Sequence, residues 1–101
     1  MNTLEKIDIP VDEIADFCRR NHISQLALFG SVLRADFGPN SDVDVLVEFE
    51  PGAHIGYLTY FRLQDELAEL FGGEVDLLTP NSLRPFARET TMQTKAVIYA
   101  S

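Results

Sequence analysis

Three aspartates stand where they could do chemistry together. Asp42 and Asp44 lie two residues apart in SDVDVLVEF, and Asp76 lies in EVDLL. Both settings are rich in Val and Leu, the composition of a buried strand. Side chains at i and i+2 of a strand share a face. Asp42 and Asp44 therefore point together, while Val43 points into the opposite layer. Two carboxylates on one face repel unless a cation sits between them. The natural occupant is a hard divalent ion such as Mg²⁺, which takes one or two carboxylates plus substrate phosphates. If the strand of Asp76 lies beside that of Asp44, three carboxylates converge. Such a triad can hold two metal ions for an in-line phosphoryl displacement. Solvated aspartates at strand starts are the alternative reading of the same residues.

Upstream stands Gly30-Ser31, at the end of the apolar run Leu26–Phe29. A glycine there lets backbone approach a ligand closely. A helix beginning at Ser31 would offer free N–H groups to a phosphate; taken alone, the two residues favour a plain turn with Ser31 as N-cap. Arg34, one turn later, could reach a phosphate or pair with a nearby acid. The chain contains neither GxxxxGK[ST] nor GxGxxG, which excludes a Walker A loop and a dinucleotide fingerprint.

The elements that must position these residues follow from periodicity. A first helix is predicted from about Pro10 to Asn21, with Val11, Ile14, Ala15 and Cys18 on one face. Leu26–Phe29 reads as a strand, Ser31–Asp36 as a short helix, and Phe37–Ser41 as a turn. Val43–Phe49 is a strand. Tyr57–Phe71 is an amphipathic helix presenting Tyr60, Leu63, Leu67, Leu70 and Phe71, stopped by Gly72-Gly73. Val75–Leu78 is a third strand, a last helix runs from Pro85 to about Lys95, and Ala96–Tyr99 adds an edge strand. This order implies a small α/β (α+β) sandwich: a mixed sheet covered by helices, one domain spanning residues 1–101.

Composition narrows the function. Sixteen acidic residues against eight basic ones give a net charge of -8. That opposes direct nucleic-acid binding, which draws its affinity from Lys/Arg contacts to phosphate. Cys18 is the single cysteine, so neither a disulfide framework nor a cysteine-based zinc site can form within one chain. The N-terminal MNTLEKIDIPVDE is no secretory signal, and no membrane span is legible, so a cytoplasmic location is expected. His22 and His54 lack ligand spacing and read as surface or capping residues. Arg84 and Arg88, four apart, read as a solvated face or a partner patch. Tyr57 and Phe61 read first as packing and second as partner surface.

Gly30-Ser31, ten residues, Asp42-Val43-Asp44 and then Asp76 together resemble the minimal nucleotidyltransferases of the polymerase-beta superfamily. Arg34 and Ser41 also match the common form GSxxR…SDxD, whereas Ala35 stands where members often have Gly. The resemblance implies that Gly30 and Ser31, with Arg34 and Ser41, hold the triphosphate of ATP. It implies that Asp42 and Asp44 bind Mg²⁺, and that Asp76 completes a second metal site or acts as base. Larger members carry a helical acceptor domain after this one. A chain of this length resembles instead the stand-alone group encoded beside HEPN-domain proteins in toxin–antitoxin pairs. That likeness implies an antitoxin that moves AMP from ATP onto a tyrosine of a HEPN ribonuclease toxin. The acidic surface would suit a basic, RNA-binding partner, or would serve solubility. Two other readings stand beside it: an antitoxin that neutralises by binding alone, and a nucleotidyltransferase acting on a small molecule or RNA.

Overall fold

The computed structural model describes residues 3–4, 7–30 and 42–101, with side chains from Ile9 onward. Two short strands, β1 (Thr3–Leu4) and β2 (Ile7–Asp8), pair antiparallel. Helix α1 (Val11–Arg20) follows, then β3 (Ile23–Phe29), β4 (Val43–Phe49), α2 (Tyr57–Phe71), β5 (Val75–Leu78), a 3₁₀ turn at Pro80–Ser82, α3 (Pro85–Thr94) and β6 (Ala96–Ala100). The four later strands form one sheet in the order β5-β4-β3-β6. β4 and β5 run parallel, and the other two pairings are antiparallel. Parallel neighbours need a crossover, and α2 supplies it. The sheet is mixed, as the sequence order implies.

Charge placement supports the helix ends. α1 carries Asp12 and Glu13 in its first turn and Arg19 and Arg20 in its last, each complementing the helix dipole. α2 closes on Gly72 at φ 73, a left-handed cap whose N–H reaches the Ala68 carbonyl.

The core lies on one face of the sheet. Ile14, Phe17 and Cys18 of α1 and Leu63 and Leu67 of α2 pack on Leu26, Leu28, Val43, Val45, Val47, Val75 and Leu77. The opposite face carries a smaller apolar cluster of Ala27, Phe29 and Leu46, with Leu78 and Leu83 against it. Farther along that face, Lys95 Nζ donates to Gln25 Oε1 at 2.6 Å and pairs with Glu48 Oε2 at 3.6 Å.

Several expectations shift. The strand expected at Leu26–Phe29 begins three residues earlier, at Ile23. Polar Ser24 and Gln25 hid its start, and a register shift between Ile23 and Gln25 breaks the alternation. Phe17 joins the buried face of α1, while Val11 and Ala15 stay half-buried. On α2 only Leu63 and Leu67 are fully buried. The β1–β2 ribbon has no apolar alternation to announce it. The helix expected at Ser31–Asp36 and the turn at Phe37–Ser41 lie outside the described residues.

Candidate active site

The register of β4 against β5 places the acids. Val43 faces Val75, Asp44 faces Asp76, Val45 faces Leu77 and Leu46 faces Leu78. Register partners in a parallel pair project from the same face, so Asp76 and Asp44 lie side by side. Asp42, one residue before β4 and two before Asp44, falls on that face by strand alternation and is exposed. Valine and leucine at the intervening positions point into the helix-covered core. The convergence of Asp76 with the pair, which depended on strand adjacency, is therefore met by the backbone. Among the described residues, no three acidic, histidine or cysteine side chains close into one metal-holding cluster. What the backbone supplies is a shared face and a register.

Gly30 completes the arrangement. It follows β3, whose last residue Phe29 is the register partner of Asp44. Its φ is +71, and a Cβ built on it would fall on the Asp44 carboxylate oxygen Oδ2. Glycine is required twice over here: for the left-handed backbone and for the space that Asp44 occupies. Gly30 thus brings the end of β3 against the Asp44 carboxylate. Ser31, Arg34 and Ser41 lie outside the described residues.

α2 borders the site from the β5 edge. The Tyr60 hydroxyl donates to the Leu77 carbonyl, and the Leu77 N–H donates to Gln64 Oε1 at 3.0 Å. Burial pushes the Tyr60 phenol up, and the negative charge of Asp76 adds to it. Sequence reasoning had placed Tyr60 on the apolar face and had not singled out Gln64. Their i, i+4 spacing puts them on one helical face, but only the placement of β5 beside that face gives the pair a meaning. Just upstream, Ile55, Gly56, Tyr57 and Tyr60 line a shallow cavity of about 390 Å³.

The remaining candidates resolve simply. Cys18 is fully buried, and its thiol is pushed up to about 12 by burial, with Arg19 opposing. His22 is exposed at φ 57 after α1, 3.6 Å from Glu50. Arg88 is committed to the chain's own backbone, with Nε donating to the Pro80 carbonyl at 2.8 Å. Tyr57, Leu58 and Phe61 are 84%, 88% and 55% exposed, and the Phe61 ring meets Tyr60 edge to face, so none of the three is a core residue.

The sequence profile of the nucleotidyltransferase domain matches residues 11–98. The chain belongs to the nucleotidyltransferase domain family. Its relatives include the protein adenylyltransferase MntA of Thermococcus cleftensis, 32% identical over 98% of this chain and 97% of that one. A Methanocaldococcus jannaschii protein, provisionally named a protein adenylyltransferase, is 39% identical over 69% of this chain and 73% of its own length. Among solved structures, a provisionally named minimal nucleotidyltransferase superposes with a TM-score of 0.69 at 32% identity, covering 84% of this chain and 85% of that one. A toxin–antitoxin complex with AMP-PNP gives a TM-score of 0.71 at 20% identity over 92% of this chain and 75% of the matched one. This nucleotidyltransferase is thus an enzyme of the minimal, MntA-like kind, and the small α+β fold with its mixed sheet is the family's fold. No helix among its described residues is long and apolar enough to cross a membrane.

Proposed function

We propose that this nucleotidyltransferase transfers AMP from ATP to a tyrosine of a HEPN-domain toxin and so neutralises it. One observation carries the reading: Asp44 and Asp76 are register partners on one sheet face, with Gly30 held against Asp44. The relatives named as protein adenylyltransferases support the type of acceptor. One solved structure with a chain of similar fold, at 19% identity and a TM-score of 0.63, is that of a tri-AMPylated Shewanella oneidensis HEPN toxin in complex with an MNT antitoxin. Another neighbour is an MntA–HepT complex in which two aspartates, two positions apart, are changed to glutamate. That is the spacing of Asp42 and Asp44.

The donor set fits Mg²⁺. Its oxygens are hard, and the ion is ordinarily held by one or two carboxylates with phosphate oxygens completing the shell. Asp42 and Asp44 therefore suffice without a closed triad. When bound, Mg²⁺ supplies positive charge against the triphosphate and the departing pyrophosphate. The chain's residues do the rest. Asp42 and Asp44 would hold the ion on the sheet face, where its charge would draw in the triphosphate. Gly30, with Ser31, Arg34 and Ser41, offers donors to its phosphates. Asp76 faces the incoming phenol, where it accepts the hydroxyl proton or shares a second ion. The phenol oxygen bonds to the α-phosphorus as the bond to pyrophosphate breaks, so one AMP is gained for each pyrophosphate released. The net charge of -8 favours encounter with a basic partner in the cytoplasm.

The test is intact-mass spectrometry of a cognate HEPN protein after incubation with this chain, Mg²⁺ and ATP. The proposal expects a mass gain of one or more AMP units, absent with the Asp42→Ala/Asp44→Ala variant. No gain, with tight complex formation by both proteins, would mean that binding alone neutralises.

A further inference from the structure

Among the described residues β5 is an edge strand, paired with β4 on one side. In a parallel pair, alternate residues turn their backbone groups toward the neighbour and away from it. The Val43 N–H donates to the Glu74 carbonyl at 2.9 Å. Glu74, Asp76 and Leu78 thus turn toward β4, and Val75 and Leu77 turn outward. At Leu77 both outward groups are taken by α2: its N–H by Gln64 Oε1 at 3.0 Å, and its carbonyl by the Tyr60 hydroxyl. Gln64 and Tyr60 are one helical turn apart and both half-buried.

The peptide joining Asp76 to Leu77 is therefore held from two directions. Its carbonyl belongs to the β4 ladder, and its N–H belongs to Gln64. The carboxylate of Asp76 is exposed. Its direction is set by the backbone that carries it.

We propose that Tyr60 and Gln64 are positioning residues for the transfer reaction: by clamping both backbone groups of Leu77 they hold Asp76 level with Asp44. This deepens the proposed function, since it rests on the role assigned there to Asp76. Neither side chain touches the reacting atoms. Their loss lowers the rate through Asp76 and leaves the ion-holding role proposed for Asp42 and Asp44 intact.

The experiment compares the wild-type chain with Tyr60→Phe/Gln64→Met, with Gln64→Met alone, and with Gln64→Glu, which retains an acceptor for the Leu77 N–H. Steady-state transfer to a cognate HEPN protein is measured together with thermal melting. The double variant should lose about tenfold to a hundredfold in kcat, the scale of losing a supporting contact behind a functional side chain. KM for ATP should change less than about twofold. Gln64→Met should fall between, keeping the test open if the double variant melts early, and Gln64→Glu should recover most of the rate. An unchanged kcat in both loss variants would overturn the proposal, as would losses that follow melting temperature across the series.

A second readout needs no turnover. The isolated chain is titrated with Mn²⁺ alone while the side-chain carboxyl carbons of Asp44 and Asp76 are observed by NMR. In the wild type both signals should broaden together; in the double variant Asp76 should need about tenfold more Mn²⁺ than Asp44. Equal broadening in the variant would overturn the clamp. If the wild type transfers nothing, the proposed function falls, and the Mn²⁺ titration alone decides the clamp.

Discussion

The two faces of the sheet divide β4 between them, residue by residue. Val43, Val45 and Val47 enter the core beneath α1 and α2. Asp44, Leu46 and Glu48 face the other way, where, among the described residues, Leu78 and Leu83 add partial cover to a small apolar cluster. The covered face holds the fold through apolar area removed from water. The open face holds two carboxylates in register and a glycine that makes room for one of them. Adjacent residues thus answer to different demands, and the pleat keeps those demands separate. A carboxylate at Val45 would be buried without a partner. A valine at Asp44 would fold and do no chemistry.

Substitutions on the two faces should therefore separate activity from stability. The largest effect is expected on the open face. Asp76→Asn should slow AMP transfer by roughly a hundredfold to a thousandfold, the scale of removing one preorganised contact to a transition state. Its melting temperature should stay within about 2 °C of the wild type, because an exposed surface substitution usually changes stability by under ~0.5 kcal/mol. Calorimetry beside the mass-spectrometric assay checks both halves. On the covered face, Leu67→Ala should cost about 2–5 kcal/mol in urea unfolding. Its transfer rate per folded molecule should hold.

Gly30→Ala should break the separation, because Gly30 belongs to both demands. Its left-handed backbone costs about 1–3 kcal/mol when a side chain is imposed, and the added methyl displaces Asp44. Denaturation and transfer should both suffer. Loss of stability without loss of transfer would show that Asp44 has room to move.

The smallest effect concerns Cys18. Its folded thiol ionises near 12 against an ordinary value of 9. The unfolded chain releases that proton first, so the contribution of Cys18 is fully present below pH 9 and is lost as pH rises toward 12. Cys18→Ala should flatten that part of the stability curve. At pH 8 iodoacetamide should modify the urea-unfolded chain far faster than the native one.

How legible this was in the sequence follows the same division. The apolar alternation of Val43–Phe49 and Val75–Leu78 declared both strands and both faces, because burial on one side imposes a period of two. The Asp42–Asp44 spacing carried the site for the same reason. The strand start at Ile23 was concealed, since Ser24 donates to the Glu48 carbonyl and Gln25 receives Lys95; polar residues with tertiary partners leave no apolar signature. The pairing of Asp76 with Asp44 required strand order, which is long-range information. The Tyr60–Gln64 clamp required it too, since a tyrosine and a glutamine one turn apart mean nothing until β5 lies beside them. The exposure of Tyr57 and Phe61 could not be read either, because apolar spacing gives a helical face and does not say what covers it.

The most direct test uses two neighbours, Asp44 and Val45. Asp44→Asn and Val45→Ala are each measured for transfer per folded molecule and for unfolding free energy under one set of conditions. If the faces divide the work, Asp44→Asn loses transfer and keeps its stability, while Val45→Ala loses stability and keeps its transfer. If both variants lose the two properties in parallel, or if Asp44→Asn still transfers AMP at the wild-type rate, the open face is not the catalytic face.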